Sequence, residues 1–171
     1  MTTLPEFAAI GSMGRNGIGQ TGSMDHWPDW FPDLVELPPD GPLPEPLATI
    51  RECVRRIDHD VMTTTGRPTR CRVFGPGPDG EYIVGDGPMA TFLPGDDPEE
   101  FLAHLADELS EAVCEDLADH GDLSLAQTWP SCPEHDHSLA PAVVAGWAVW
   151  RCRSDNRIQV PIGSLTADTS L

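Results

Sequence analysis

The sequence predicts an α+β fold with two main helices and mostly antiparallel strands. Two segments repeat apolar residues at the spacing of an amphipathic helix, and each precedes strand-like segments. The turns between these strands are short and rich in glycine and proline, as in hairpins. Strands joined in this way pair antiparallel, so the two helix-plus-strands units indicate α+β. We expect one domain over residues 46–165, a length that can hold a hydrophobic core.

The first helix is predicted over residues 46–65. Apolar side chains recur there at steps of three and four residues and form one stripe. The stripe consists of Leu47, Ile50, Val54, Ile57 and Val61. Gly66 ends the pattern, because glycine readily takes the left-handed conformation that terminates helices. Asp58, His59 and Asp60 lie on this helix, and we expect them to be a solvated surface.

The second helix is predicted over residues 97–120. Asp97 can cap its N-terminus, Pro98 suits the first helical position and Gly121 follows its end. Four polar residues share one face of this helix, and we expect that face to be solvated. They are Glu100, His104, Glu108 and Glu111.

The strands are predicted in two groups. Residues 69–94 have the pattern of a three-stranded β-meander, with GPGPDG and GDGP as its turns. After the second helix we expect one strand around Val143–Trp150 and a second over Ile158–Ile162, joined by a turn at residues 154–156. The C-terminal region 128–165 is therefore expected to form a hairpin.

Residues 1–45 are predicted to form an extended, proline-rich arm. Recurrent prolines exclude a regular helix through most of residues 25–46, where aromatic and aliphatic residues mix with acidic ones. The residues with the best chemistry for contacting a partner are Trp27, Trp30, Phe31 and Leu34. Two interpretations stay open: the arm wraps its own domain and buries the aromatic rings, or it docks on another protein.

The charge of the chain restricts its partners. Its formal net charge is −18, from 28 acidic and 10 basic residues, and every basic residue is arginine. A chain this acidic is not expected to bind a nucleic-acid backbone directly or to bind anionic membranes. It favours a protein partner with a basic surface, or metal ions. No secretory signal is recognisable, and five cysteines suggest a reducing, cytoplasmic location.

One short window carries a specific chemistry. It contains Cys132, His135, His137 and Cys152, and thiolates and imidazoles are the ligands that zinc prefers. Four such ligands around Zn²⁺ give a neutral, closed, structural site. Without His137 the site would be open and catalytic, with Glu134 or Asp136 available as a base. In a third interpretation no metal binds, the cysteines are buried and the histidines lie in a polar loop.

The same residues carry a resemblance. The run Trp129-Pro-Ser-Cys132-Pro-Glu-His135-Asp-His137-Ser-Leu139, followed by Trp150-Arg-Cys152, resembles a group of small uncharacterised actinobacterial proteins. Their pattern is W-P-x-C-P-x-H-x-H-x-L and then W-x-C, and the resemblance covers about residues 97–165. It implies metal binding and no established activity.

These observations lead to three functional hypotheses. The first is a non-enzymatic, acidic protein-interaction or accessory protein with a structural Zn²⁺ site and a protein partner. The second is a DNA mimic, whose carboxylates inhibit a nucleic-acid-binding protein. The third is a zinc-dependent hydrolase.

Overall fold

The α+β class is confirmed by the computed structural model, which describes residues 33–38, 40–85 and 89–167. These residues form three helices and two antiparallel sheets. The helices are α1 (Glu45–Thr65), α2 (Pro98–Asp119) and α3 (Leu123–Thr128). None of the helices in these ranges is long and apolar enough to cross a bilayer. The predicted partner-binding residues Trp27, Trp30 and Phe31 lie outside the described residues.

The first sheet has the order β1-β2-β3-β4 and is antiparallel throughout. Its strands are β1 (Leu34–Val35), β2 (Arg72–Phe74), β3 (Tyr82–Gly85) and β4 (Met89–Phe92). The last three are the predicted β-meander. Strand β1 was not predicted: it lies in the predicted arm and pairs with β2 through Leu34 opposite Phe74.

The second sheet has the order β5-β6-β7 and consists of β5 (Ala140–Val144), β6 (Trp147–Arg151) and β7 (Gln159–Pro161). The prediction of one strand over Val143–Trp150 is wrong, because this segment contains a two-residue turn. Ala145 and Gly146 have φ angles of 51° and 82°, the left-handed region that tight hairpin turns require. The residues before and after the turn are apolar, so the sequence shows no polar break at this position.

The helix ends follow their capping chemistry. Gly66 has a φ of 71° and its amide donates to the carbonyl of Met62, which closes the last turn of α1. The Asp97 side chain accepts hydrogen bonds from the amides of Glu99 and Glu100 and so begins α2 as predicted. The third helix was not predicted, because its six residues are too few to show a periodic pattern.

Helix α2 is the central element of the core. It packs against α1, against β3 and β4 of the first sheet, and against β5 and β6 of the second. Its buried side chains are Phe101, Leu102, Leu105, Ala106, Leu109, Val113 and Leu117. One amphipathic helix therefore joins both sheets into a single core cluster.

Asp60 is completely buried, so the prediction that it belongs to a solvated surface is wrong. Its carboxylate accepts hydrogen bonds from Trp150 Nε1 at 2.7 Å, the Gly163 amide at 2.7 Å and the Leu165 amide at 2.8 Å. Burial raises the pKa of Asp60 above its usual value, although these three hydrogen bonds act in the opposite direction. The carboxylate joins α1 to β6 and to the segment after β7.

We expect Asp60→Ala to lower the free energy of unfolding by about 3 kcal/mol or more, because three buried donors lose their acceptor. Chemical denaturation followed by tryptophan fluorescence measures this change. Glu52→Ala on the same helix is the control, because Glu52 forms an exposed ion pair worth less than about 1 kcal/mol. Equal effects of the two substitutions would contradict the structural importance of Asp60.

Candidate metal centre

The first half of the cluster is a tight loop between α3 and β5. Within it the Cys132 amide donates to the carbonyl of His137 at 3.0 Å, and the His137 amide donates to that of His135 at 3.0 Å. Ser131 and Ser138 form an isolated antiparallel bridge at its base. These bonds turn the chain within a few residues, so that a thiol and two imidazoles converge on one point.

The second half is the loop that follows β6. Cys152 is completely buried, and its sulfur accepts hydrogen bonds from the amides of Ser154 at 3.3 Å and Asp155 at 3.2 Å. The Cys152 amide donates to the carbonyl of Ile158 at 3.0 Å, which returns the chain towards β7. Amides that point at a sulfur stabilise its thiolate form, which is the form that binds metals.

The four ligand atoms lie within 4.8 Å of one another. His135 Nδ1 is 3.4 Å from Cys132 Sγ and 3.4 Å from Cys152 Sγ, and His137 Nε2 is 3.5 Å from Cys152 Sγ. Tetrahedral coordination with bonds of about 2.3 Å to sulfur and about 2.0 Å to nitrogen separates neighbouring S and N ligands by about 3.5 Å. The cluster therefore has ligands of the type and spacing that a metal ion needs.

A hydrogen bond outside the cluster orients His137. Its Nδ1 lies 2.8 Å from the carbonyl oxygen of Ser138, which can only accept, so Nδ1 carries the proton. In the neutral ring the lone pair is then on Nε2, the atom that faces Cys152. A carbonyl that fixes the tautomer of a ligand histidine in this way is typical of metal sites in proteins.

The two thiols have different environments. Burial raises the pKa of Cys132, and the neighbouring Cys152 adds to this effect. Burial also acts to raise the pKa of Cys152, but hydrogen bonds from the Asp155 and Ser154 amides and with Cys132 and His137 together leave that pKa below its usual value. Cys53 is not part of the cluster, and burial raises its pKa to about 12, so it stays a neutral thiol.

The cluster lies at the surface with its sulfurs turned inwards. The two cysteines are buried, His137 is half-buried and His135 is exposed. A groove of about 440 Å³ is bordered by Cys132 and His135 of the cluster and by the carboxylate residues Asp122 and Asp136. Solvent can therefore reach the histidine side of the cluster.

Searches against protein-family models, curated proteins and solved structures returned no match. The resemblance to small actinobacterial proteins stays a prediction. The interpretation of the cluster depends on its own geometry and chemistry.

The structure brings all four predicted ligands together, and no other metal-ligating cluster occurs in the part of the chain that it describes. The polar face of α2 that includes Glu100 and His104 forms no such cluster. Of the predicted partner-binding residues, Leu34 lies in edge strand β1 with 56% of its surface exposed.

Two carboxylates hold strand β6 in place, and this role was not predicted from the sequence. Glu99 binds Arg56 at 2.6 Å and accepts a hydrogen bond from the Ala148 amide at 2.6 Å, so it holds β6 from the N-terminus of α2. Asp60 holds the same strand through Trp150. The position of Asp60 on α1 could have indicated its burial. Asp60 follows Ile50, Cys53 and Ile57 at steps of three and four residues and so lies on the buried stripe of the helix.

We expect the reduced protein to bind one Co²⁺ per chain with the intense visible absorption of four-coordinate cobalt bound to thiolates. The reason is that two sulfurs and two nitrogens already stand at tetrahedral spacing. Titration of metal-free protein with Co²⁺ measures both stoichiometry and geometry. The weak absorption of six-coordinate cobalt would contradict a closed four-ligand site.

Proposed function

We propose that this chain is a non-enzymatic, acidic protein-interaction or accessory protein whose C-terminal sheet is held by a structural Zn²⁺ ion. The observation that carries the proposal is the convergence of Cys132, His135, His137 and Cys152 on one point. Two thiolates and two neutral imidazoles balance the charge of Zn²⁺, and sulfur with imidazole nitrogen suits zinc better than calcium or magnesium.

The four-ligand set supports a structural role over a catalytic one. Catalytic zinc sites keep a position for water or substrate, whereas this cluster offers four protein ligands to one ion. The Ser138 carbonyl holds His137 in the tautomer that a metal ligand needs. This supports His137 as the fourth ligand of the ion. The groove beside His135 favours the hydrolase alternative, because it gives solvent and small molecules access to the cluster.

The proposed ion would connect segments that the chain separates. Cys132 and both histidines precede β5, whereas Cys152 follows β6, so the ion would join the two ends of the β5–β6 hairpin. The unfolded chain does not hold these ligands together, so the free energy of metal binding adds to the free energy of folding.

The interaction role is supported by charge and by exposed apolar residues. A net charge of −18 favours basic protein partners, and exposed Leu34 continues directly from the acidic-aromatic segment that contains Trp27, Trp30 and Phe31. We place the protein in the cytoplasm, because none of its five cysteines forms a disulfide.

The DNA-mimic alternative stays a hypothesis with a clear discriminating property. A mimic needs two rows of carboxylates on one continuous face. Among the described residues, α2 exposes one row, formed by Glu100, Asp107, Glu111 and Glu115. Inhibition of a nucleic-acid-binding protein that is lost after neutralising this row would favour the mimic.

We expect protein purified under reducing conditions to contain one zinc per chain by elemental analysis. His135→Ala and His137→Ala should each lower zinc affinity by at least about 10-fold, because each removes one of four ligands. His104→Ala is the control, because His104 lies outside the cluster. Zinc retained in His137→Ala with a bound water would favour the hydrolase instead.

We expect Cys132→Ser and chelation by EDTA to destabilise the protein by similar amounts, about 3 kcal/mol or more, because both remove the ion that joins the hairpin ends. Thermal unfolding measures the effect. EDTA should not lower the midpoint of Cys132→Ser further, whereas Cys71→Ser should keep the EDTA response of the unchanged protein. A chelator-insensitive unfolding midpoint in the unchanged protein would remove the structural zinc site.

A further inference from the structure

The second sheet has an outward side that we call the outer face. Side chains alternate along a strand, and Trp150 points inwards to Asp60, so Trp147, Val149 and Arg151 point outwards. The strand register adds their cross-strand neighbours to the same side. The outer face therefore consists of Ala140, Ala142, Val144, Trp147, Val149, Arg151, Gln159 and Pro161.

The outer face is largely apolar and partly exposed to solvent around a buried Val149. Trp147 is 64% exposed, which makes it the most exposed large apolar side chain among the described residues. Pro161 is also exposed, and α2 packs on the opposite side of the sheet, where Trp150 lies. Val149, at the middle of β6, is 6% exposed and pairs with Ala142 and Pro161 on the neighbouring strands.

The outer face also lacks acidic side chains. The whole chain has 28 carboxylate residues, yet none of the eight outer-face positions is acidic, and Arg151 carries the one formal charge. Two molecules with a charge of −18 repel each other through most of their surfaces. The outer face is a surface through which two copies can approach without bringing carboxylates together.

We propose that the outer face binds a second copy of this chain in a two-fold, sheet-on-sheet dimer. The face is self-complementary about an axis at Val149, because Trp147 and Arg151 lie two residues to either side of it. An isologous contact about this axis places Trp147 of one copy opposite Arg151 of the second copy. Arginine stacks favourably on a tryptophan ring, and this arrangement also separates the two Arg151 side chains.

The second copy fits the outer face better than an acidic partner does. An acidic partner would find a single arginine on an otherwise apolar surface, whereas a second copy covers Trp147 and supplies an aromatic ring for Arg151. Packed sheets with small and medium side chains such as Ala142 and Val144 can approach to about 10 Å. The inference deepens the proposed interaction role and does not depend on the identity of the metal.

Sedimentation velocity of the full chain, with and without Trp147→Ser, tests the dimer. Two opposing effects set its strength: burial of the outer face favours it, and the net charge of each copy opposes it. Raising sodium chloride from about 0.05 M to about 1 M shortens the screening length from more than 10 Å to about 3 Å. We therefore expect salt to tighten the dimer by about 10-fold or more, the reverse of a contact between opposite charges.

Trp147→Ser should raise the dissociation constant by about 10-fold or more, because the dimer would bury this exposed ring and a buried interface tryptophan is a typical hot spot. The control is Leu123→Ser, because Leu123 is 62% exposed and belongs to α3, not to the outer face. Arg151→Ala should weaken the dimer to a smaller extent. Zinc content and the unfolding midpoint, measured on each variant, show that its fold is intact.

A protein that stays monomeric at both salt concentrations up to about 0.5 mM would overturn the proposal. A dimer that Trp147→Ser leaves unchanged, that Leu123→Ser weakens equally, or that salt dissociates would also overturn it. A zinc-containing monomer would remove the dimer and leave the proposed function standing. A dimer that salt strengthens in a protein without zinc would support the dimer and remove the structural zinc site. The failure of the dimer proposal and the failure of the proposed function can therefore be distinguished.

Discussion

The structure depends on one buried carboxylate. Asp60 is completely enclosed and accepts three hydrogen bonds, two from the segment after β7 and one from the indole of Trp150. A buried carboxylate is costly unless all of its hydrogen bonds are made, so the elements around it can pack in few other ways. Asp60 thus fixes where the second sheet lies on α1, while α2 connects the same sheet to the first one.

Three kinds of interaction converge on β6. Asp60 reaches Trp150 from α1, Glu99 reaches the Ala148 amide from the start of α2, and the candidate metal centre includes Cys152, the residue after the strand. The rings of Trp129 and Trp150 also meet edge-on at 5.6 Å between centroids, next to the loop that contains Cys132. The side chains that support the ligands are therefore the side chains that build the core.

Much of this fold could be predicted from the sequence, because its local signals are strong. The stripe of α1, the Asp97 cap of α2 and the glycine-rich turns of the meander each follow from local chemistry. The hairpin turn at Ala145 and Gly146 could not be read in the same way, because apolar residues surround it. Strand β1 forms because it pairs with β2, which lies far away in the sequence. The residues of β1 alone have no pattern that predicts a strand.

The candidate site was partly predictable for a similar reason. Four ligand-type residues in a short window indicated a cluster, and the structure brings the same four together. The support around them was not foreseen: the Ser138 carbonyl, the Ser154 and Asp155 amides and the Asp60 carboxylate act through backbone geometry or distant segments. Residue type and spacing identify ligands, whereas tertiary structure determines what orients them.

The alternation of side chains along β6 has a consequence for how the strand finds its register. Trp150 and Cys152 point to one side, where the buried carboxylate and the two histidines stand, and Trp147, Val149 and Arg151 point to the other. A shift of one residue would turn Arg151 towards the core and move Trp150 and Cys152 away from their partners together. A misaligned pairing of this strand would therefore lose both the contact of Trp150 with Asp60 and the contacts of Cys152 with the histidines. These two losses favour a single alignment of the hairpin.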